Sequence, residues 1–379
     1  MKKKVYYWAP FIDKVATVKS IINSASSLSK YSKKYEAIII NALGEWDEYE
    51  DILFRNNIKI HQLTENKFLK NIKGKGFIRS RAAYMYIIFK ATVPLMLFIK
   101  KKKPEYLMIH LMTSIPLFIN LFFRNKTKFI LRISGLPKLN LIRKYLWKVN
   151  ISYLFRIFSP TIDTKKNLED LFSIKEKKIT LLRDPIISNT EIIEKKKENQ
   201  SEYKDYYLSV GRLTKQKNFI FLLKCITKLK HKNFKFLILG EGEQLYELKN
   251  FIKKNDLTNN VFLLGYKKNI YKYLKDAKAL ICTSLWEDPG FFLIESGYCN
   301  VPVISSDCPN GPKEILDHGN NGYLFKSNSE KDFINKFNEF NKDSSKILNT
   351  KILNLKKLTK EFTIFNHFKK LTSYLENEI

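Results

Sequence analysis

The sequence has few cysteines and no local cluster of metal-binding side chains. Its four cysteines, Cys225, Cys282, Cys299 and Cys308, form no C-x-x-C pair, and they are too few for a disulfide framework or a zinc site. There is no Asp-x-Asp motif and no histidine–carboxylate group with metal-ligand spacing. We therefore expect free cytosolic thiols and no recognisable metal centre.

Long uninterrupted apolar runs are also missing. Pro10 and Asp13 break the basic start of the chain, which therefore indicates a first strand rather than a signal peptide. The apolar stretches at 79–103 and 115–126 are interrupted or fenced by basic residues, whereas a membrane span needs about 18–20 apolar residues. Two interpretations stay open: helices that lie on an anionic membrane surface, or ordinary packing helices of an α/β domain.

Acidic residues are scarce in one region of the chain. The formal net charge is +31, and an AT-rich codon bias would account for the many lysines. That bias does not account for residues 66–162, which contain 20 lysines and arginines and a single acidic residue, Glu105. A segment with this excess of positive charge predicts a phosphate-rich partner, either nucleic acid or an anionic bilayer surface. The sequence has no RNP-like or zinc-finger motif that would favour nucleic acid.

Short β-rich runs alternate with longer helical stretches, which is typical of parallel α/β sheets. The strands predicted in the first half are 4–9, 36–41, 106–111, 128–134 and 155–160, and those in the second half are 205–211, 235–242, 260–265, 277–284 and 301–307. The polar segment 183–204 between the halves has the composition of a linker. We expect the same α/β architecture twice, with ligands at the carboxyl ends of the strands.

One motif in the second half joins a strand to a helix through a basic turn. "SVGRLTKQKNF" (209–219) places Arg212 and Lys217 after a glycine and before an amphipathic helix. Two cations beside the free N–H groups of a helix start suit a diphosphate. Basic residues at helix starts are commonly only solvated, so this motif needs support from elsewhere in the chain.

A second motif, "LWEDPGFFLIESG" (285–297), supplies that support through Glu287 and Glu295. On one continuous helix these carboxylates would lie about 12 Å apart along the axis, but the Pro289-Gly290 turn predicts a loop and then a helix starting near Phe292. The amides of about 290–293 would then be available to a phosphate. Carboxylates accept hydrogen bonds from sugar hydroxyls, so one could hold a ribose and the other a transferred sugar. Taken singly, Glu287 could cap a loop and Glu295 could respond to the helix dipole; in this order, after Arg212 and Lys217, we favour the ligand-binding interpretation.

These motifs resemble those of the retaining glycosyltransferases of family 4, of the type that builds bacterial surface polysaccharides and lipid-linked glycans. The resemblance rests on "EDPGFFLIE", "GRLTKQKN", "GEGE" (240–243) and "NVPVISSDCPNGPKEIL" (300–316), in the family's order and spacing, and covers about 205–325. It implies the α/β GT-B fold: two Rossmann-like domains facing across a cleft, with a C-terminal helix that crosses back to the first domain. The expected bounds are an acceptor-side domain at 1–183, a linker at 184–204, a donor-binding domain at 205–355 and the returning helix at 356–379.

The resemblance also assigns roles to residues. Arg212 and Lys217 would hold the donor diphosphate, Glu287 the donor sugar and Glu295 the ribose. Transfer would proceed with retention, giving an α-linkage, with the cations in place of a metal and no cofactor. The catalytic candidates are Glu287, Arg212, Lys217 and His110. The donor-binding candidates are Arg212, Lys217, Gly290, Phe291, Phe292, Leu293, Glu295, Gly240 and Gly265.

On the acceptor side the chain departs from the family pattern at two places. Where many members have a Gly-Gly loop after the first strand, this sequence has Val15, Ala16 and Thr17. Where many have a histidine after the strand "FILRIS", it has Ser134 and Gly135. His110, at the end of "YLMIHL", is another candidate, although a lone histidine there is commonly a structural residue.

The implied partners follow from the family and from the regional charge. We expect a nucleotide-sugar donor, with UDP preferred because "DCPNGPKEIL" resembles enzymes that use UDP-sugars. The acceptor would be a lipid-linked or lipopolysaccharide glycan, with the protein cytoplasmic and peripheral at the inner face of an anionic membrane, and with no nucleic acid. The alternatives are a basic nucleic-acid- or membrane-binding protein, or a GT-B sugar-nucleotide epimerase or degenerate scaffold without transferase activity.

Overall fold

Runs of β-branched and aromatic residues form two separate parallel sheets. The computed structural model describes residues 2–12, 16–65, 77–123, 126–135, 137, 139–174, 178–197, 202–229 and 234–377. The chain divides into two compact units: unit 1 comprises Met1–Pro160, Thr164–Pro185 and Ile364–Ile379, and unit 2 comprises Thr161–Asp163 and Ile186–Thr363.

Unit 1 is built on a seven-stranded sheet in the order β3-β2-β1-β4-β5-β6-β7. Its strands are β1 (Lys3–Trp8), β2 (Tyr35–Asn41), β3 (Lys59–Gln62), β4 (Tyr106–Ile109), β5 (Lys128–Arg132), β6 (Arg156–Ser159) and β7 (Ile179–Leu181). The helices in its part of the chain are α1 (Ala16–Tyr31), α2 (Glu50–Arg55), α3 (Phe77–Lys102), α4 (Ser114–Phe122), α5 (Leu141–Asn150) and α6 (Ile162–Phe172), followed at the C-terminus by α15 (Ile364–Glu376).

The two faces of this sheet bury different helices. Alternate residues of a strand point to opposite faces, so Tyr6 and Trp8 of β1 belong to the core cluster that contains α3, α4 and α5. Val5 and Tyr7 belong to the cluster on the other face, which contains α1 and the C-terminal helix α15.

The C-terminal helix is therefore part of the first unit, as the resemblance implies. Leu371 and Leu375 of α15 are buried in the core with residues of β1. The Tyr106 hydroxyl of β4 donates to the Leu375 carbonyl at 3.0 Å. His367 bridges α15 to α1, since its Nε2 lies 2.9 Å from the Ser24 hydroxyl. The predicted return of the C-terminal helix to the first domain is confirmed.

Helix α3 is the longest helix of unit 1. Among the described residues, one helix is long and apolar enough to cross a membrane by length and composition, over Ala82–Lys102 of α3. Ile87, Ala91 and Leu95 nevertheless pack into the core of unit 1. This side of the helix has the role expected of a packing helix in an α/β domain.

Unit 2 contains a six-stranded sheet in the order β10-β9-β8-β11-β12-β13. Its strands are β8 (Tyr206–Val210), β9 (Lys235–Leu239), β10 (Val261–Leu263), β11 (Ala277–Cys282), β12 (Val303–Ser306) and β13 (Tyr323–Phe325). Its helices are α7 (Asn189–Lys196), α8 (Phe219–Thr227), α9 (Leu245–Lys254), α10 (Tyr271–Leu274), α11 (Phe291–Tyr298), α12 (Pro312–Ile315), α13 (Glu330–Lys342) and α14 (Ser345–Thr359). Helix α7 lies within the segment expected to be a linker.

The strand order locates the ligand crevice of unit 2. The chain runs outward from β8 to β9 and β10, and then returns to place β11 on the other side of β8. In open α/β sheets, ligands bind beyond the carboxyl ends of the strands where this reversal occurs. The loops that follow β8 and β11 contain the two motifs singled out in the sequence.

Candidate active site at the carboxyl ends of β8 and β11

Three loops are joined by backbone hydrogen bonds at this edge of the sheet. After β8, the N–H of Leu213 donates to the Glu241 carbonyl at 2.9 Å; after β9, the N–H of Gly240 donates to the Gly265 carbonyl at 2.9 Å. Gly240 has a φ of +150°, and a Cβ added to it would lie 1.8 Å from the Gly211 carbonyl oxygen. Only glycine permits this approach, so the "GEGE" motif has a structural reason.

The basic turn after β8 is held against the loop after β11. The Thr283 hydroxyl donates to the Lys217 carbonyl at 3.0 Å. The N–H of Leu285 donates to the Gln216 carbonyl at 2.8 Å, and the Gln216 side chain donates to the Trp286 carbonyl at 2.9 Å. These bonds bring the predicted diphosphate turn and the predicted sugar loop together. Arg212, in the same turn, has an exposed side chain.

Lys217 and Glu287 form an ion pair at the centre of this arrangement. Lys217 Nζ lies 2.5 Å from Glu287 Oε1, and the two side chains are only 13% and 5% exposed. Ser284 donates its hydroxyl to the same carboxylate oxygen at 2.5 Å. Lys217 Nζ also lies 4.4 Å from the centre of the Phe292 ring, within cation–π range. Sequence reasoning found Lys217 and Glu287 but missed Ser284.

The turn after Glu287 leads into helix α11. Gly290 precedes the helix with a φ of +92°, a conformation that favours glycine. The helix begins at Phe291, one residue earlier than the sequence predicts. The Leu293 N–H donates to the Gly290 carbonyl at 3.0 Å, so this amide is hydrogen-bonded within the turn; the expected contact of Leu293 with the donor stays a prediction.

Glu295 is buried on the first turns of α11, where it is held by a tyrosine from a different element. The Tyr271 hydroxyl, at the start of α10, donates to Glu295 Oε1 at 2.9 Å. Burial, and then the nearby Glu295 carboxylate, raises the pKa of Tyr271, so the hydroxyl keeps its proton and remains a donor. Tyr271 is a second residue that sequence reasoning missed, because no motif signals its contact with a residue 24 positions away.

The acceptor-side candidates lie in unit 1. Ala16 is the first residue of α1 and Thr17 the second, while Val15 lies outside the described residues. Ser134 and Gly135 follow β5 and are half-buried. The structure shows no catalytic contact for Thr17, Ser134 or Gly135 among the described residues, and the roles of all five candidates stay predictions.

His110 is buried at the end of β4. Its ring stacks on Tyr7, with the ring centres 5.7 Å apart, and its Nε2 has no hydrogen-bond partner among the described residues. Burial, with smaller contributions from Arg132 and His367, lowers the pKa of His110 well below its usual value. The imidazole is therefore neutral near pH 7, and its catalytic role also stays a prediction.

Solved structures define the fold class. A glycosyltransferase from Rickettsia africae aligns with a TM-score of 0.77 and 16% identity, over 100% of both chains. Anabaena HepE in complex with UDP aligns with a TM-score of 0.74 and 12% identity, over 99% of both chains. The fold is GT-B, as the motifs predict.

Sequence relatives define the family. Residues 190–354 match the family model described as "Glycosyl transferases group 1". An uncharacterized glycosyltransferase of Methanocaldococcus jannaschii is 32% identical over 319 residues, which are 77% of this chain and 73% of the relative. The chain belongs to the group 1 glycosyltransferases.

The names of some further relatives state a reaction. An N-acetylgalactosamine-N,N'-diacetylbacillosaminyl-diphospho-undecaprenol 4-alpha-N-acetylgalactosaminyltransferase of Campylobacter jejuni is 33% identical over 217 residues. The match covers 55% of this chain and 59% of that enzyme.

Proposed function

We propose that the protein transfers a sugar with retention from a nucleoside-diphosphate sugar, preferably a UDP-sugar, to a membrane-linked glycan. The observation that carries this proposal is the buried Lys217–Glu287 pair at the carboxyl ends of β8 and β11. A cation and a carboxylate meet where the fold binds ligands, and helix α11, which follows their loop, supplies the second carboxylate, Glu295. This set suits a donor with a diphosphate at one point and sugar hydroxyls on either side of it.

In the proposed reaction, the bond between the anomeric carbon and the diphosphate oxygen breaks, and the oxygen of an acceptor hydroxyl forms the new bond on the same face of the sugar. The proton of that hydroxyl passes to the leaving diphosphate oxygen. Negative charge then develops on the leaving diphosphate. Arg212, Lys217 and the start of α11 would stabilise that charge as preorganised donors. In this scheme no metal is required, because the cations act at the diphosphate.

The carboxylates would position the two sugars. Glu287 is fixed by Lys217 and Ser284, which orients it for a hydroxyl of the transferred sugar. Glu295 is fixed by Tyr271. An ionised carboxylate accepts about four hydrogen bonds, so Glu295 can accept from the ribose while Tyr271 maintains its orientation.

Relatives support the proposed acceptor class. The Campylobacter enzyme is named for an undecaprenol diphosphate-linked acceptor and an α-transfer. An Escherichia coli relative, 29% identical over 134 residues, is named for UDP-Gal and a diphosphoundecaprenol acceptor. A lipid-linked or lipopolysaccharide glycan would place this protein at the cytoplasmic face of a membrane.

A thermal-shift screen with UDP, GDP, ADP and their sugar conjugates tests the donor site. A ligand at 100 times its Kd contributes about 2.7 kcal/mol, which should raise the melting temperature of unit 2 by about 5–10 °C. Glu295→Ala should abolish the shift, whereas Glu247→Ala, at an exposed position of α9, should preserve it. A wild-type protein that responds to no nucleotide, or a shift that survives Glu295→Ala, would refute the proposed donor site. Sugar epimerisation without an acceptor would instead favour the epimerase alternative.

A further inference from the structure

Helix α3 presents apolar side chains to solvent as well as to the core. Met85, Phe89, Val93 and Leu97 are all exposed, and they recur every four residues, so they share one side of the helix. The buried residues of α3 occupy the other side. Within the described part of the chain, the packing of unit 1 therefore explains one apolar side of this helix and gives the other no structural role.

The two helices that follow along the sheet extend this apolar surface. Helix α3 packs beside α4, and α4 packs beside α5; all three contribute to the core cluster on the same face of the sheet. Their outer sides therefore point away from the sheet in the same direction. The exposed large apolar residues on the described parts of α4 and α5 are Phe118, Phe122, Leu141, Ile142 and Tyr145. We call these five side chains and the four on α3 the docking face.

Lysines accompany the docking face, and acids are absent from its helices. The exposed lysines on the described parts of the three helices are Lys90, Lys100, Lys101, Lys102, Lys144 and Lys148. Lys90 Nζ lies 5.6 Å from the centre of the Phe89 ring, so a cation and an apolar side chain are adjacent on α3. From 77 to 150 the sequence contains one acidic residue, Glu105, which lies outside these helices.

We propose that the docking face seats the protein on an anionic lipid bilayer, with its apolar side chains among the acyl chains and its lysines at the headgroups. Apolar insertion together with basic residues is the combination that holds a protein at an anionic surface. A second copy of the chain would oppose lysines with lysines across a two-fold interface, which is unfavourable. Membrane docking rests on the proposed function only for its biological purpose, which is to bring the enzyme to a lipid-linked acceptor in the membrane.

Co-sedimentation of the full chain with vesicles tests the apolar part. Vesicles of phosphatidylcholine mixed with phosphatidylglycerol should bind the protein, and vesicles of phosphatidylcholine alone should bind it much more weakly. Phe89→Ser should weaken binding about tenfold or more, since burying a phenylalanine contributes about 1.5–3 kcal/mol. The matched control is Phe54→Ser on α2, because Phe54 is 83% exposed and Phe89 77%; it should bind as the wild type does.

Charge reversal tests the electrostatic part. Each lysine near an anionic leaflet contributes about 1 kcal/mol, or about fivefold in binding, so Lys100→Glu/Lys101→Glu should weaken binding at least about 25-fold. The control is Lys253→Glu/Lys254→Glu on α9 of unit 2. Both pairs are exposed and lie in the last turn of a helix, so the two variants change net charge and helix-end electrostatics equally. Raising the salt concentration should weaken wild-type binding.

A fluorescent label locates the inserted side chains directly. All four native cysteines are buried, so a single introduced cysteine can be labelled with an environment-sensitive dye. A dye at Val93→Cys should shift to the blue on anionic vesicles. A dye at Leu353→Cys on α14 should not, although the two positions are 54% and 58% exposed.

The proposal is overturned by any of three results: no preference for anionic vesicles, equal effects of Phe89→Ser and Phe54→Ser, or a vesicle-free dimer that Phe89→Ser dissociates. The nucleotide-induced thermal shift of the same variants keeps the two proposals distinct. A retained shift with lost vesicle binding supports docking through this face, whereas vesicle binding without any nucleotide shift supports docking and refutes the proposed donor site.

Discussion

Lys217 and Glu287 should be strongly coupled in stability, which a double-mutant cycle of Lys217→Met, Glu287→Gln and the double variant can measure. The pair is separated by 2.5 Å and both side chains are largely buried. Removing one partner of such a pair costs about 3–5 kcal/mol, mostly because it leaves the other charge buried and unpaired. Replacing both partners removes that penalty.

The structure makes the two single variants unequal. Glu287 accepts hydrogen bonds from Lys217 and from Ser284. Lys217→Met removes the charged donor and leaves the buried carboxylate with the Ser284 hydroxyl, so we expect a loss of about 4–5 kcal/mol in unfolding free energy. After Glu287→Gln, Lys217 still has the glutamine amide oxygen as an acceptor and the Phe292 ring at 4.4 Å. We therefore expect a smaller loss of unfolding free energy, about 3 kcal/mol or less. The double variant should lose at least about 2 kcal/mol less unfolding free energy than the sum of the two single losses.

Urea unfolding at pH 7 without nucleotide measures the cycle, and hydrogen exchange of the amides in β8 and β11 shows whether the loss is local to unit 2. Lys204→Met is a control, because its ion pair with Asp276 leaves the lysine side chain 59% exposed and should contribute less than about 1 kcal/mol. Additive losses in the cycle would refute the argument that the pair is a coupled buried unit.

Three further predictions concern single side chains. Tyr271→Phe should weaken nucleotide binding about tenfold or more in calorimetry, because it removes a hydrogen bond worth about 1.5–3 kcal/mol from the Glu295 carboxylate. Burial lowers the pKa of His367 to about 3, against about 6.5 in the unfolded chain. The unfolded state therefore takes up the proton first, and stability falls as the pH falls from 7 to 5. His367→Gln should remove about 2 kcal/mol of that loss, measured by urea unfolding. Gly240→Ala should destabilise unit 2 by about 2–3 kcal/mol in the same assay, because its Cβ meets the Gly211 carbonyl oxygen at 1.8 Å.

Each of these predictions has a matched control. Tyr206→Phe also removes a buried hydroxyl bond in unit 2, at 2.6 Å to the Tyr273 carbonyl, and should not change nucleotide binding. His318→Asn, which replaces a histidine at an exposed position, is the control for His367→Gln. Gly319→Ala has a positive φ but no atom within 4 Å of the added Cβ, so its loss should be limited to about 1–2 kcal/mol of backbone strain. A control that behaves like its test variant contradicts the corresponding reasoning.

The sequence alone predicted the central strands, the GT-B fold and the family. Central strands of parallel sheets are buried on both faces and read as apolar runs, which is why β1, β4, β8 and β11 were recognised. The edge strands β3, β7 and β13, with three or four residues each, were missed, whereas β10, an edge strand of three residues, was predicted from the apolar run at 260–265. Strands this short acquire their conformation from the neighbour they pair with.

The candidate site residues could likewise be found from the sequence, whereas their contacts could not. Local motifs singled out Arg212, Lys217, Glu287 and Glu295, because a turn followed by a helix start has a local signature. Their partners depend on the strand order, which brings residues 70 positions apart into the Lys217–Glu287 pair. No periodicity reports such a contact.

The orientation of helix α3 was likewise decided by tertiary structure. Its sequence is apolar on most sides, so composition fits both a packing helix and a helix at a membrane surface. Packing against the sheet buries Ile87, Ala91 and Leu95 and leaves Phe89 and Val93 exposed. The sequence determined which residues are apolar and which are charged; the sheet determined which of them face solvent, because a side of a helix is buried only where another element covers it.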